Sequence, residues 1–397
     1  MEQDIIELNN IAKEEGKKYT KKRFIHNSII AHMNEREHTA LVGPRGAGKT
    51  VLLKQLLIES ENAFYVSLDS TKIEGGLFKL AKELFDSGTK ILLIDEIHGY
   101  PGYDIELKKI YDFLKIKVVL TSSSALVLHE LAADLSRRMR IIKIWPFSLR
   151  EYLFFNNGEK LELLKFEDLF NKTTCQGYYQ KTMNAEVEFK NYLHAGNYPL
   201  ALNRQNVLPL FKSMLETVIN KDLIRTGKIT HDETLHIARL MAFLGKSHPE
   251  DMSYTSIAKN IGISRYLAEK YLELLEKAFV VHKVLPEGHG VMKEPKIHMA
   301  LPYRLLYRQY DECIGALRED FFVDSFARSG LDIRYLKTNR GKKTPDYVVD
   351  NVVFEIGGQT KGHSQFKGFE MRRKIIFTHP GTLDELKRPL FFAGMMY

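Results

Sequence analysis

Eight consecutive residues, Gly43-Pro44-Arg45-Gly46-Ala47-Gly48-Lys49-Thr50, constrain this chain more than any other feature. They follow an apolar run, His38-Thr39-Ala40-Leu41-Val42, and open a helical stretch over residues 50–59. The spacing G-x-x-x-x-G-K-[ST] is met without a gap in the required strand–turn–helix context. Glycines let main-chain N–H groups turn inward around an anion where a Cβ would clash. A lysine adds a point charge, a threonine offers a hydroxyl to a cation, and the helix directs its positive end at the same place. Residues Gly43 to Thr50, with Val51 behind them, are therefore expected to hold a nucleoside triphosphate, ATP with Mg²⁺.

The surrounding pattern agrees. Short apolar runs at 64–68, 91–94, 117–120 and 141–144 alternate with helical segments at 76–85, 105–113 and 125–133. Helical patterns at 1–37, with a second piece over 24–33, precede them. Buried strands alternating with helices predict an α/β fold, a parallel sheet with helices on both faces. The alternation stops after Trp145-Pro146, and a chain of 397 residues is long enough for more than one core. The expected domains are 1–150, a helical region 151–235, a winged-helix-like segment 236–286, and a C-terminal α+β domain 287–397.

Asp95 and Glu96 end the apolar run Ile91-Leu92-Leu93-Ile94. Asp95 is expected to hold Mg²⁺ together with Thr50, and Glu96 to orient and deprotonate the attacking water. The hydroxyl run Thr121-Ser122-Ser123-Ser124 comes after the next strand, with Ser123 as candidate sensor of the terminal phosphate. Ser136-Arg137-Arg138-Met139-Arg140 brings guanidinium groups before the last strand. One of them would complement charge built up in phosphoryl transfer, in its own subunit or in a neighbouring copy.

These motifs, with Ile97-His98, Pro101-Gly102-Tyr103, Leu135-Ser136-Arg137-Arg138 and Trp145-Pro146-Phe147-Ser148, resemble a bacterial and archaeal family of AAA-type ATPases. Gly196-Asn197-Tyr198-Pro199 and Asn220-Lys221-Asp222 resemble its helical middle. The resemblance implies a winged-helix-like segment and a C-terminal domain of unknown function similar to restriction-endonuclease-like folds. It also implies Arg138 as the functional arginine. Arg137 and Ser122 stand where the family usually has glycine.

Beyond residue 235, Tyr254 to Ser264 reads as helix, glycine turn and helix start, and Leu267, Tyr271, Leu274 and Leu275 fall on one face of that second helix. Its outward Arg265, Lys270 and Lys277 are offset by Glu269, Glu273 and Glu276. Phosphate contact supplies most non-specific DNA affinity, so this balance favours a protein-contact role for the helix. Glu319, Asp346 and Glu355 form the skeleton of a metal-dependent nuclease site. The lysine expected two residues after Glu355 is Gly357, leaving Lys343 or Lys361 to reach in, and a degenerate, inactive fold is the expectation.

Only two cysteines, Cys175 and Cys313, lie far apart, which suits a reducing compartment. No apolar run approaches the length of a membrane span, and the start of the chain is acidic, so a cytoplasmic protein is expected. The net charge is +8, and residues 331–397 hold twelve Lys/Arg against seven Asp/Glu, which leaves DNA or a protein as partner. The leading expectation is an ATP-hydrolysing switch or small motor, with self-assembly into a homo-oligomer left open. A nucleotide-tuned DNA-binding regulator and an ATP-dependent nuclease are the alternatives.

Overall fold

The computed structural model describes residues 3–123, 135, 137–225, 229–249, 252–288, 294–336, 344–362, 364–366, 369 and 372–397. They form two compact units, Met1–Pro146 and Phe147–Tyr397. Among the described residues no helix is long and apolar enough to cross a membrane.

In the first unit the apolar runs become five parallel strands: β1 (His38–Val42), β2 (Ala63–Ser67), β3 (Ile91–Asp95), β4 (Lys117–Ser122) and β5 (Met139–Lys143). Their order is β2-β3-β4-β1-β5. Helices α1 (Gln3–Gly16), α2 (His26–Met33), α3 (Lys49–Glu59), α4 (Leu77–Asp86) and α5 (Tyr103–Phe113) accompany them. All five residues of β1 are buried, as a central strand covered on both faces requires. Leu41, Leu52, Leu53, Leu56, Leu93 and Val119 close one core between the sheet and α3. Because every strand runs the same way, β1, β3 and β4 end together at one edge, at Val42, Asp95 and Ser122. In open parallel sheets ligands bind outside that edge. The helix expected over residues 1–37 is interrupted between Gly16 and His26. The helix expected at 125–133 lies outside the described residues.

The first unit closes at Pro146 because Phe147 is buried in the core of the second, where its N–H donates to the Asn197 carbonyl at 2.6 Å. That unit opens with helices, among them Leu149–Asn157, Met183–Asn191 and Glu233–Lys246. Tyr254–Ile261 and Arg265–Lys277 come next, about a turn at Gly262, and then β6 (Val281–Pro286) pairs antiparallel with β7 (Lys296–Met299). Near its end β6 also pairs with β8 (Ile333–Tyr335), Leu285 opposite Arg334. A seven-stranded sheet results, in the order β12-β11-β10-β9-β8-β6-β7. It is completed by β9 (Tyr347–Val349), β10 (Val352–Gly357), β11 (Arg373–Thr378) and β12 (Lys387–Pro389). The stretches 236–286 and 287–397 therefore share one sheet, since β6 of the first pairs with β8 of the second. Helix Tyr310–Ser329 covers one sheet face through Phe322 and Phe326, which pack on Phe354 and Phe377.

Candidate functional site

The glycine-rich turn sits where β1 ends, and two glycines there are obligatory for different reasons. Gly48 stands at φ 89°, the left-handed conformation that leads the chain into α3. Gly43 passes so close to the end of β5 that a Cβ would lie 1.9 Å from the Ile144 carbonyl oxygen. A cradle this tight admits only glycine. Lys49 is buried, and its ammonium donates to the carbonyls of Gly43 and Pro44 at 2.8 and 2.9 Å. The lysine is thus stored across the mouth of its own loop, within reach of whatever anion the loop receives.

A second cation supports the turn from below. Arg23, in the stretch between α1 and α2, donates to the Ala47 carbonyl at 2.9 Å and to the Trp145 carbonyl at 2.7 Å. It ties the loop to the segment just past β5. The sequence holds no signal for it, because one arginine in a basic run looks like any other.

Asp95 and Glu96 lie beside the loop with distinct surroundings. Asp95 is buried; Tyr65 donates to its Oδ2 at 2.9 Å, and the Thr121 hydroxyl donates to its Oδ1. Burial first, then Asp95, lifts Tyr65 well above the ordinary tyrosine range, so it remains a donor. The same Thr121 oxygen accepts the Glu96 N–H at 2.9 Å. One hydroxyl on β4 therefore positions both acids at the end of β3. Glu96 takes a left-handed backbone at φ 56°, which turns its side chain away from the strand direction. Its Oε2 lies 3.0 Å from His98 Nδ1, an ion-pair distance without hydrogen-bond alignment. Burial works to raise the Glu96 carboxyl, but His98, Lys49 and Arg45 outweigh it and hold the group at about 2. Ser123, just beyond β4, is buried with its hydroxyl free of any partner among the described residues. Thr50 and Val51 lie in the first turn of α3.

Arg138 is placed otherwise. It precedes β5, and its carbonyl accepts the N–H of His38, the first residue of β1. It therefore stands at the amino edge of the sheet, one strand length from the loop, or roughly 15 Å. There it makes a two-pronged pair with Asp112 at 3.0 and 3.1 Å. Its own chain's loop is therefore at the opposite edge: in a parallel sheet, a residue just before a strand and a residue just after one lie at opposite edges.

In the second unit the three cations of helix Arg265–Lys277 are all engaged. Arg265 pairs with Glu294 at 3.2 Å, Lys270 with Glu233 at 2.9 Å, and Lys277 with Glu273. Asp346 and Glu355 are brought together across β9 and β10, whereas Glu319, on helix Tyr310–Ser329, accepts the Tyr347 hydroxyl at 2.6 Å. Burial and the charge of Asp346 push the Glu355 carboxyl up to about 7, against the pull of Lys361 at 2.6 Å. Lys343 lies outside the described residues.

Residues 35–153 match the model of an AAA domain, and residues 186–300 match that of a domain of unknown function. The chain is 31% identical over 373 residues to an uncharacterized protein of Methanocaldococcus jannaschii, covering 84% of this chain and 78% of that one. It is 29% identical over 275 residues to an uncharacterized protein of Haemophilus influenzae, covering 63% of this chain and 64% of the other. Among solved structures, the Walker-type ATPase of Pyrococcus abyssi aligns at 15% identity and TM-score 0.40, over 71% of this chain and 94% of that chain.

Proposed function

This chain belongs to an archaeal and bacterial family of AAA-type P-loop ATPases with a further domain of unknown function, and from that premise we propose that it binds ATP with Mg²⁺ and hydrolyses it as a conformational switch or small motor. The observation that carries the reading is the convergence of Lys49, Asp95, Glu96, Thr121 and Ser123 at the edge where β1, β3 and β4 end.

The residues present fit the cation. Thr50 and the buried Asp95 are hard oxygen donors of the kind Mg²⁺ takes, and the ion's contribution would be to neutralise phosphate charge. Lys49 exchanges its two carbonyl acceptors for phosphate oxygens. Tyr65 and Thr121 keep the Asp95 carboxylate from rotating. Glu96 is a carboxylate at every physiological pH, so its part is to accept a hydrogen bond from water and align it. A group titrating near 2 is a weak base, and full proton removal falls late in the reaction. The Ser123 hydroxyl donates to the terminal phosphate. Arg138 serves a neighbouring copy, because its own loop is at the far edge.

The helix Arg265–Lys277 offers neutralised cations, which favours a protein partner over a DNA groove. Calorimetry and ATP turnover on wild type, Lys49→Ala and Glu96→Gln test the reading. Lys49→Ala should lose affinity by about a hundredfold, while Glu96→Gln retains ATP and loses turnover by about a hundredfold or more. Equal turnover in all three ends it.

A further inference from the structure

The second unit assembles a group of side chains that ATP chemistry leaves unused. Strands β9 and β10 pair antiparallel with Tyr347 opposite Phe354, so the next position sets Asp346 opposite Glu355. Main-chain bonds secure that end of the ladder. The Asp346 N–H donates to the Phe354 carbonyl at 3.0 Å, and the Ile356 N–H donates to Asp346 Oδ2 at 2.8 Å. Directly opposed residues carry Cβ atoms about 5 Å apart, so two carboxyl groups share one patch of sheet. Glu355 is 1% exposed. Its Oε1 takes the Lys361 ammonium at 2.6 Å, while its Oε2 is buried with no hydrogen-bond partner among the described residues. A buried carboxyl oxygen without an aligned donor is an exception that calls for an explanation.

The lysine explains the glycine. Along a strand, the residue two beyond Glu355 lies on the same face, and here it is Gly357. A Cβ at Gly357 would meet Lys361 Cδ at 2.7 Å and Cγ at 3.1 Å. The stem of Lys361 thus fills the volume where a side chain at 357 would grow, and its ammonium ends at the carboxylate such a side chain would serve. The chain reads acid-x-glycine, and the fold rebuilds acid-x-lysine in space. Lys361 is also partly open to solvent, giving the cluster a mouth.

We infer that Asp346, Glu355 and Lys361 form a divalent-cation-dependent site that hydrolyses phosphodiester bonds of DNA, a polyanion suited to the excess of twelve Lys/Arg over seven Asp/Glu in residues 331–397. Mg²⁺ is commonly held by one or two carboxylates, with water and substrate oxygens completing its shell. Two carboxylates therefore suffice, and among the described residues no group of three His, Cys, Asp or Glu is assembled. Asp346 and Glu355 supply the cation's protein oxygens, the orphaned Oε2 among them. Lys361, released from Glu355 Oε1, holds the attacking water by its oxygen. That water adds to phosphorus, the bond from phosphorus to one sugar oxygen breaks, and the departing oxygen takes up a proton as the water gives one to solvent. Nothing is oxidised or reduced. Glu319 stays with Tyr347 and contributes charge only.

The site works independently of ATP, so its failure and that of the nucleotide reading are separable. The test is full-length protein with supercoiled plasmid and Mn²⁺ or Mg²⁺, with and without ATP, alongside Mn²⁺ binding by electron paramagnetic resonance in a Lys49→Ala background. Nicking should survive Lys49→Ala and fall by at least about a hundredfold in Glu355→Gln and in Lys361→Met. Glu355→Gln should also lose one Mn²⁺ site, which Lys361→Met keeps. Returning the lysine to the strand, as Gly357→Lys with Lys361→Ala, should restore nicking. Plasmid left intact by wild type under all four conditions overturns the proposal. So does nicking unchanged in Glu355→Gln, or an Mn²⁺ stoichiometry that Glu355→Gln leaves unaltered.

Discussion

The loop edge of the first unit and the carboxylate patch of the second are built from the same materials, lysine, acids and glycine at strand ends, yet they are assembled in opposite ways. Around the loop, the defining residues are neighbours in the chain, and the fold has only to bring β3 and β4 beside β1. In the patch, the lysine arrives from four residues past a glycine and the two acids from opposed strands. A contiguous motif carries its geometry with it, because the backbone conformation that makes the cradle also dictates the glycines. A dispersed cluster exists only once the sheet has formed. The electrostatics diverge as well. Glu96 is held low by His98, Lys49 and Arg45, whereas Glu355 is raised by burial and by Asp346, with one lysine against them.

The largest effect on the loop edge is expected from Gly43→Ala. With the Ile144 carbonyl 1.9 Å from the new Cβ, either the loop or the end of β5 must move. Nucleotide binding should fall below detection by calorimetry, and thermal unfolding should show a loss of about 1–3 kcal/mol or more. A variant that binds ATP normally would show that the cradle is not shape-limited.

The second unit has a different weak point. Arg304, Asp320 and His298 are buried, with Arg304 on Asp320 and on the carbonyls of Leu244 and Ser247. His298 Nε2 meets the Tyr347 hydroxyl at 3.0 Å, linking this network to β9. Asp320→Ala leaves the guanidinium buried and unpaired, and should cost about 3–5 kcal/mol in a urea titration. Replacing Arg304 and Asp320 together by apolar residues should recover much of that loss. If the single variant costs under about 1 kcal/mol, the network does not organise the sheet.

The smallest and most discriminating effect concerns His98. Its approach helps hold the Glu96 carboxyl at about 2, so the pH profile of wild-type turnover should show no acid limb from Glu96 above about pH 4. His98→Gln removes a partner of the charged form, and the Glu96 pKa must then rise. The limb should move upward by about one pH unit, while turnover near pH 8 changes little. An unshifted profile would assign the low value to Lys49 and Arg45 alone.

Much of the candidate site is legible in the sequence, for reasons that differ by residue. Gly43 to Thr50, Asp95 and Glu96 stand in runs where strand, turn and chemistry are adjacent. For Arg138 the motif leaves its own chain's nucleotide or a neighbour's open, and its position before a parallel strand already implies the edge far from its own loop. Tyr65, Thr121 and Arg23 have no readable role, since each acts on a residue at least twenty-four positions away. The helical spacing after Gly262 is legible, but not that β6 joins the last sheet.

By itself the sequence determined the parallel α/β layout of the first unit and its phosphate-binding turn, because apolar period and glycine conformation are local properties of a chain. Only the tertiary structure decided that Thr121 serves both acids and that Lys361 fills the place Gly357 leaves. Each depends on which strands become neighbours, and that choice is made by burying the whole core rather than by any segment alone.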